Sequence, residues 1–210
     1  MAKQFFVSGI STEIGKTVVS SILVNALKAD YWKPVQSGDL HHTDSMKVEQ
    51  WGRHDAMMVH PEGFRLNTPA SPHYAAQVDG VQIHLEDFNI PPSSNHLIVE
   101  GAGGLMVPLN DEATILDLID YLKIPVVLVS QNYLGSINHT LLSIEALQRR
   151  SIPIAGIVFN GPSTPSTESI IQKMTGVPVI FYLEELENVN TKTIQATAKK
   201  YQAEIVSALI

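Results

Sequence analysis

Cysteine is absent from the 210 residues, and arginine occurs only four times. The first absence excludes disulfides, iron–sulfur clusters, thiolate-ligated zinc and thiol nucleophiles. The chain is also short of positive charge, because 14 Lys and Arg face 21 Asp and Glu and leave a formal net charge of −7. A nucleic-acid surface needs clustered cations to neutralise phosphates, and no run of basic residues is present. We therefore expect no nucleic-acid partner.

Long apolar runs are missing as well. No stretch approaches the roughly 18 consecutive apolar residues that a membrane helix needs, and the apolar segment within Met1–Ile10 is too short for a signal peptide. We therefore expect a soluble cytoplasmic protein with no membrane partner. Apolar residues still make up 44% of the chain and charged residues only 17%, which is enough for a sizeable core. The length fits one domain over residues 1–210.

Short apolar runs alternate with helical stretches along the chain. The runs are nearly continuous, which is typical of parallel strands buried on both faces. Strands are predicted at Gln4–Ser8, Tyr31–Val35, His96–Glu100, Val126–Ser130, Ile154–Asn160 and Pro178–Phe181. Helices are predicted at Thr17–Lys28, Thr114–Leu122, Asn138–Arg150 and Ser166–Thr175, before a last helix with Ile194, Ala198, Tyr201, Ile205 and Leu209 on one face. This order predicts an α/β fold, a doubly wound, mostly parallel sheet with helices on both faces.

The segment from Ser37 to Pro92 is the least regular part of the sequence. It holds five of the eight histidines between His41 and His73. Compact domains seldom carry idle loops of this length, so we expect a functional excursion. His41, His42 and His54 are better interpreted as surface residues than as a metal site, because adjacent side chains in a regular element do not converge on one ion.

A phosphate-binding loop is predicted at Gly9–Thr17, where G-I-S-T-E-I-G-K-T matches G-x-x-x-x-G-K-T in full. An apolar run precedes the motif and a helical stretch follows it. Gly9 and Gly15 let the backbone wrap so that successive N–H groups face phosphate oxygens, and the helix N-terminus adds partial positive charge. Lys16 is placed to bridge phosphates and the Thr17 hydroxyl to coordinate Mg²⁺. The motif predicts a fold of the P-loop nucleotide hydrolase type.

Three further residues are candidates for the same site. Glu100 ends a predicted strand and opens a glycine-rich turn, Gly101–Gly104, so it lies at the sheet edge where such folds bind ligands. A hydrated Mg²⁺ needs carboxylates of this kind. Asp55 is a weaker candidate, because a single acid in a polar loop is usually a cap or a solvated charge. Lys33 lies near the C-terminal end of the second predicted strand and supplies a second cation for a transferring phosphoryl group.

In combination these motifs resemble the dethiobiotin synthetase family. Besides the phosphate loop they comprise Lys33–Gly38, His54–Ala56, Pro69–His73, Val99–Gly104, Leu134–His139 and Asn160, in the family's order. The resemblance runs from about Phe6 to Asn160, and many nucleotide hydrolases share its first motif alone. It implies a homodimeric ligase that uses ATP and Mg²⁺ to convert 7,8-diaminononanoate and CO₂ into dethiobiotin, ADP and phosphate. The implied intermediates are a carbamate and a carbamic-phosphoric anhydride.

The resemblance also implies roles for individual residues. Those that would hold ATP are Glu13, Ile14, Gly15, Lys16, Thr17, Val18, Asp55, Glu100, Gly101, Ala102, Gly103, Asn160 and Gly161, with Asn160 at the adenine. Mg²⁺ would be surrounded by Thr17, Asp55 and Glu100. Lys33, Lys16 and Thr12 would act at the reacting groups. Ser37 would contact the diamine, while Gly135, Ser136 and Asn138 of one subunit would bind the carboxylate of the substrate in the other.

The sequence departs from the family at three points. No tyrosine lies between Tyr133 and Tyr182, so a tyrosine contact to the substrate carboxylate from the intervening helix is missing. Gly161 stands where the family often has aspartate, which predicts relaxed selectivity for the base, and Phe181–Leu183 replaces a Pro-Trp-Leu stretch. The main alternative is a partitioning-type switch ATPase, although such proteins share an early loop lysine where Ser11 stands here. A small-molecule kinase would need a lid with arginines to clamp phosphates. A cobyrinate-type ligase without its glutaminase half is a more distant alternative.

Overall fold

The computed structural model describes residues 2–210, which form eight strands and eight α-helices. The strands are β1 (Gln4–Gly9), β2 (Asp30–Trp32), β3 (Val35–Ser37), β4 (Phe64–Leu66), β5 (Leu97–Gly104), β6 (Val126–Gln131), β7 (Ile154–Asn160) and β8 (Val179–Leu183). The helices are α1 (Lys16–Leu27), α2 (Asp44–Trp51), α3 (Pro72–Asp79), α4 (Ile115–Leu122), α5 (Ser136–Arg149), α6 (Pro165–Thr175), α7 (Thr191–Lys200) and α8 (Gln202–Leu209). A 3₁₀ turn at Leu85–Asp87 precedes β5.

Six of these strands form one parallel sheet in the order β2-β5-β1-β6-β7-β8, and β3 and β4 form a separate parallel pair. Strand β1 pairs with β5 on one side and with β6 on the other. Because the strands of the large sheet run the same way, their C-terminal ends meet at one edge, where folds of this kind bind ligands. The predicted doubly wound, mostly parallel sheet is confirmed.

Two apolar cores cover the two faces of the sheet. Helices α1, α2, α7 and α8 contribute to one core, and α3 to α6 contribute to the other. Along β1, Phe5 and Val7 belong to the first core and Phe6 to the second. A strand buried in this way needs apolar residues at successive positions, which explains its continuous apolar run. Within residues 2–210, no helix is long and apolar enough to cross a membrane.

The predicted strand Tyr31–Val35 is wrong. Strand β2 ends at Trp32, and β3 begins at Val35 in the other sheet. Pro34 accounts for the break, because proline has no N–H to donate to a strand ladder. The interruption leaves Lys33 in the gap between two strands, where its side chain is buried.

The predicted single last helix is also wrong. Helix α7 ends at Lys200 and α8 begins at Gln202, with Tyr201 between them at φ −104° and ψ 11°. Tyr201 stacks on Phe181 of β8 at a centroid distance of 4.9 Å, so the break accompanies a contact with the sheet. The predicted apolar face is nevertheless buried, at Ile194, Ala198, Ile205 and Leu209.

The irregular excursion contains short elements that fold back on the sheet edge. Its helix α2 begins after Thr43, whose hydroxyl accepts a hydrogen bond from the Met46 N–H at 3.2 Å. Its strand β4 pairs with β3 and places Leu66 opposite Ser37. The first residue of α2 is Asp44, and this fold-back brings it to Lys33.

Candidate phosphate and metal site

The phosphate loop joins β1 to α1 and presents backbone at the start of the helix. Gly15 adopts a φ of +87°, in the left-handed region, and a Cβ there would collide with the Asn160 amide. Glu13 is exposed, also with a positive φ of 55°. The Lys16 ammonium donates to the Ser11 carbonyl oxygen at 3.0 Å. Exposed loop N–H groups and a lysine at a helix N-terminus form an anion-binding arrangement.

Lys16 is only 7% exposed. Burial lowers the pKa of Lys16 to about 8, with Glu100 opposing this effect and Lys33 adding to it. The charges of Lys33 and Glu100 therefore lie close enough to Lys16 to affect its protonation. A phosphate group beside Lys16 would raise this pKa again, because an opposite charge favours the protonated form.

Glu100, on β5, is the centre of a buried polar cluster. Its Oε1 accepts hydrogen bonds from Thr17 Oγ1 at 2.9 Å and from Lys33 Nζ at 3.2 Å. Its Oε2 accepts from the Tyr31 hydroxyl at 3.0 Å. Glu100 lies opposite Val7 of β1 in the sheet register, close to where the phosphate loop begins. The structure therefore brings Thr17, Lys33 and Glu100 together, as the motifs predict.

Lys33 lies between two carboxylates, because its Nζ is also 2.6 Å from Asp44 Oδ2. Burial by itself would lower the pKa of Lys33, but the charges of Glu100 and Asp44 outweigh burial and raise it. Burial likewise opposes the charged form of Asp44, and the Lys33 ammonium outweighs it and lowers the pKa of that carboxyl. The result is a buried Lys33 ammonium held between the carboxyl groups of Glu100 and Asp44.

Assigning Asp55 to this site is wrong. Asp55 is exposed and follows His54, whose Nε2 lies 2.9 Å from the Ala29 carbonyl oxygen beyond the C-terminal end of α1. Thr17 stands at the opposite end of that helix, on the order of 18 Å away along the axis. The second carboxylate of the cluster is Asp44. It arrives on α2, a short polar helix without a clear apolar periodicity in the sequence.

The glycines after Glu100 continue the strand, so the predicted turn is wrong. Strand β5 runs on to Gly104, which lies opposite Gly9. A Cβ at Gly101 would approach Phe6 Cε1 at 2.7 Å. The missing side chains let this end of β5 pass close to β1 and to the phosphate loop. Ala102 and Gly103 are half-buried on the same stretch.

The opposite side of the phosphate loop is formed by the ends of β6 and β7. Asn160 Nδ2 donates to the Ile14 carbonyl oxygen at 2.9 Å. Its second amide N–H and its Oδ1 are left for other partners. Gly161 follows with a φ of +97°, and its N–H donates to the Leu183 carbonyl oxygen at 2.8 Å. The Ile14 side chain is buried in the core and Val18 is half-buried on α1, so Ile14 offers this site its backbone.

Glu168 links two loops on this side and carries no motif in the sequence. Its Oε1 accepts from Asn132 Nδ2 at 2.8 Å and from the Thr164 N–H at 2.7 Å, and its Oε2 accepts from Ser163 Oγ at 3.1 Å. The side chain belongs to α6, and the residue is 5% exposed. Asn132 follows β6, whereas Ser163 and Thr164 follow β7. Glu168 therefore fastens the turn after β6 to the loop after β7.

A cavity of about 470 Å³ opens beside the phosphate loop. Its walls are mostly apolar and come from residues 10–12, 103–107, 139, 142, 143 and 146. Thr12 lies in this wall, at the end nearest the phosphate loop. An apolar cavity with a few polar groups at its end suits a hydrocarbon chain that carries polar termini.

The predicted substrate residues lie elsewhere. Ser37, Gly135, Ser136 and Asn138 are not among the residues that line the cavity. The Ser37 hydroxyl is buried and has no hydrogen-bond partner within residues 2–210. Ser136 Oγ accepts from the Tyr133 N–H at 3.3 Å, and Asn138 is exposed on the first turn of α5. The next residue of this turn, His139, does line the cavity.

The fold and the site define a P-loop nucleotide-binding protein. A family model described as an AAA domain matches residues 3–193. A ParA family ATPase from Chlorobium tepidum superposes with a TM-score of 0.61 at 15% identity, over 99% of this chain and 98% of that one. A chain of the MinC:MinD cell division protein complex from Aquifex aeolicus gives 0.62 at 13% identity, over 99% and 94%. Likeness at this level of identity shows the fold alone.

Curated relatives are much more similar in sequence. The ATP-dependent dethiobiotin synthetase of Christiangramia forsetii is 47% identical over 202 residues, 96% of this chain and 97% of its own. That of Cytophaga hutchinsonii is 47% identical over 199 residues, 94% and 96% of the two chains. The chain belongs to the dethiobiotin synthetase family and is an enzyme of the ligase class. This confirms the predicted family and favours it over a switch ATPase.

Proposed function

We propose that this protein forms a cyclic urea, converting 7,8-diaminononanoate, CO₂ and ATP into dethiobiotin, ADP and phosphate. Family membership supports these substrates, and the phosphate loop supports the use of ATP. The observation that carries the proposal is the buried Lys33 ammonium, 3.2 Å from Glu100 and 2.6 Å from Asp44 beside that loop. A site that only binds nucleotide does not need this second cation, whereas a reaction that brings two anions together does.

The reaction joins these substrates in three steps. One substrate amine captures CO₂ as a carbamate, and a carbamate oxygen attacks the γ-phosphoryl group while ADP leaves. The product is a carbamic-phosphoric anhydride. The second amine attacks its carbonyl carbon, phosphate leaves and the ring closes, and each amine has then given up one proton. No covalent link to the protein is required, in keeping with a chain that has no cysteine.

The residues of the chain act mainly by positioning and by neutralising charge. Residues 13–18 hold the phosphates of ATP, and Lys16 bridges them. Lys33 stabilises the carbamate and the transferring phosphoryl group. Such stabilisation of developing charge is usually the largest contribution to catalysis of phosphoryl transfer. Thr12 flanks the reacting groups from the cavity wall, and the backbone of Gly101–Gly103 donates hydrogen bonds nearby.

The donor set around Glu100 fits Mg²⁺. This ion prefers oxygen ligands and is usually held by one or two carboxylates together with phosphates and water. Thr17, Glu100 and Asp44 hold it in our proposal, with Asp44 in place of Asp55. When bound, the ion would neutralise negative charge on the phosphates of the nucleotide. Lys33 holds the two carboxylates in place through its contacts of 3.2 and 2.6 Å.

The remaining contacts concern the ends of the substrates. Asn160 and Gly161 lie at the adenine, where Asn160 has an amide N–H and an oxygen left to offer. The apolar cavity takes the hydrocarbon chain of the diamine, and Ser37 contacts the diamine.

A homodimer completes the substrate site in this proposal. Apolar side chains beside the cavity and on the turn before α5 are exposed, namely Met106 (67%), Leu134 (104%), Ile137 (36%) and Leu142 (55%). An exposed apolar patch of this kind is typical of an interaction surface. The N-terminus of α5, at Gly135–Asn138, offers N–H groups and partial positive charge to the carboxylate of a substrate bound by the second chain.

The test is to incubate the protein with the diamine, bicarbonate, Mg²⁺ and ATP and to look for dethiobiotin by mass spectrometry. Phosphate release is expected only when the diamine is present. With ¹⁸O-labelled bicarbonate, label is expected in the released phosphate, because a carbamate oxygen attacks phosphorus. Phosphate release without the diamine would favour a switch ATPase, and a phosphorylated diamine without a ring would favour a kinase.

A further inference from the structure

Tyr31 is the partner of the second oxygen of Glu100. While Oε1 accepts from Thr17 and Lys33, Oε2 accepts from the Tyr31 hydroxyl, and this is its sole hydrogen bond within residues 2–210. Both Tyr31 and Glu100 are 0% exposed. Water therefore has no access with which to replace the tyrosine, and a lost hydrogen bond here would leave a buried carboxylate oxygen unpaired.

The Tyr31 hydroxyl is held rigidly. Its backbone N–H donates to the Met58 carbonyl oxygen at 2.9 Å, and its own carbonyl oxygen accepts from the His60 N–H at 2.8 Å. The residue also pairs with Ile98 in the register of β2 and β5. Burial, followed by the Glu100 charge, raises the pKa of Tyr31 well above its usual value, so the hydroxyl stays a donor. The carboxylate, in contrast, rotates easily about its last torsion unless partners fix it.

We propose that Tyr31 is a positioning residue of the metal–phosphate site, whose hydroxyl holds Glu100 Oε2 and so keeps Oε1 directed at Thr17 and Lys33. The inference rests on the proposed function, because the direction of Oε1 matters once a Mg²⁺–nucleotide is bound there. Tyr31 itself contacts neither metal nor substrate. Partners that orient a metal ligand in this way are commonly worth 10- to 100-fold in metal affinity.

The test is Tyr31→Phe, which removes the hydroxyl and keeps the ring. Calorimetry would measure the affinity for ADP with and without Mg²⁺, together with the melting temperature. We expect ADP alone to bind as it does in the unaltered protein, and the gain in affinity conferred by Mg²⁺ to fall about 10-fold or more. Tyr121→Phe is the control, because Tyr121 is 44% exposed. A lower melting temperature with an unchanged Mg²⁺ effect would reduce Tyr31 to a packing residue and overturn the proposal.

A second variant covers the case in which Tyr31→Phe does not fold. Glu100→Gln removes the buried charge, so Tyr31→Phe is more easily tolerated in that background. If Tyr31 acts through Glu100, adding Tyr31→Phe to Glu100→Gln changes the Mg²⁺ effect no further. A further loss of several-fold would contradict the proposal. These measurements use ADP, so they stay informative even if the protein fails to make the cyclic urea, which would defeat only the proposed function.

Discussion

The two sides of the phosphate loop are held by different chemistry. On the side of β2 and β5, the Lys33 ammonium lies between the carboxylates of Glu100 and Asp44. On the side of β6 and β7, amides and hydroxyls predominate, and the carboxylate of Glu168 accepts from the neutral donors of Asn132, Ser163 and Thr164. Buried ion pairs are therefore concentrated where the proposed anions meet, while on the other side hydrogen bonds from neutral donors hold the loops.

This difference predicts unequal sensitivity to mutation. Removing one partner of a buried ion pair leaves an uncompensated charge and typically costs about 3–5 kcal/mol. Removing one partner of a neutral hydrogen bond costs about 1–3 kcal/mol. The charged side is expected to carry catalysis, and the neutral side is expected to carry nucleotide affinity.

The largest effect is expected from Lys33→Ala. The substitution removes the cation that faces the developing charge, so turnover should fall ~10²-fold or more while ATP binding is mostly kept. Steady-state kinetics and ADP calorimetry check this. Lys47→Ala is the control, because Lys47 also lies within 3.4 Å of Asp44 but is more exposed. An unimpaired turnover would remove Lys33 from the mechanism.

Asp44→Asn and Asp55→Asn are a matched pair that distinguishes the cluster from the distant acid. Asp44→Asn is expected to raise the Mg²⁺ concentration needed for half-maximal activity by about 10-fold, because a proposed ligand loses its charge. Asp55→Asn is expected to leave the Mg²⁺ titration unchanged, since its side chain is exposed at the far end of α1. The reverse pattern would assign Asp55, and not Asp44, to the proposed Mg²⁺ site.

The lowered pKa of Lys16 predicts a pH effect on nucleotide binding. With a pKa of about 8, Lys16 of the free protein loses its charge in alkaline solution. Binding a phosphate that favours the charged form then requires the Lys16 amine to take up a proton. The Kd for ADP should rise about tenfold between pH 7 and pH 9. Lys16→Met should flatten this profile, and an equally steep profile in that variant would assign it to another group.

The lowered pKa of Lys16 also affects the free energy of unfolding, which should rise with pH while the affinity for ADP falls. In the unfolded chain Lys16 has its ordinary pKa of 10.5, so between about pH 8 and that value the unfolded state binds more protons than the folded one. The Lys16 contribution to the free energy of unfolding therefore rises with pH across this window. Denaturant titrations of the unaltered protein and of Lys16→Met, compared at both ends of the window, isolate this contribution.

The smallest effect on turnover is expected from Glu168→Ala on the neutral side. Loss of the acceptor frees the loops after β6 and β7, so KM for ATP should rise several-fold with little change in kcat. Stability should fall by about 1–3 kcal/mol, because the Thr164 N–H and the Ser163 hydroxyl lose their acceptor, whereas Asn132 Nδ2 keeps its hydrogen bond to the Pro162 carbonyl oxygen. Glu185→Ala, at an exposed position, is the control. A loss of turnover as large as that of Lys33→Ala would erase the distinction between the two sides.

Local patterns predicted most of the sheet and the phosphate loop. The Gly9–Thr17 motif specifies its own conformation through glycines and the following helix. Glu100 was predictable because an acid stands at the C-terminal end of a predicted buried strand. The predicted strand Tyr31–Val35 was wrong because its apolar residues favour a strand, whereas Pro34 interrupts the strand ladder. The glycines after Glu100 indicated a turn, but they continue β5, where a Cβ at Gly101 would collide with Phe6.

Asp44, Tyr31 and Glu168 could not be predicted in this way. Each contacts its partner through the tertiary structure: α2 brings Asp44 to Lys33, and Tyr31 reaches Glu100 from the neighbouring strand. In the sequence Tyr31 is indistinguishable from an ordinary core aromatic residue such as its neighbour Trp32. Glu168 resembles any acid in the first turn of a helix, where the helix dipole favours it. Asp55 is the opposite case. Its motif-like context predicted an acid in the site, but the fold places Asp55 far from the site.

The most direct test of the account is an experimental structure of the protein with Mg²⁺, ADP and aluminium fluoride in place of the transferring phosphoryl group. We predict that the Nζ atoms of Lys16 and Lys33 both lie within about 4 Å of the fluoride or phosphate oxygens, the range of an ion pair. A complex in which Lys33 stays separated from this group by other side chains, or turns toward solvent, would contradict the account.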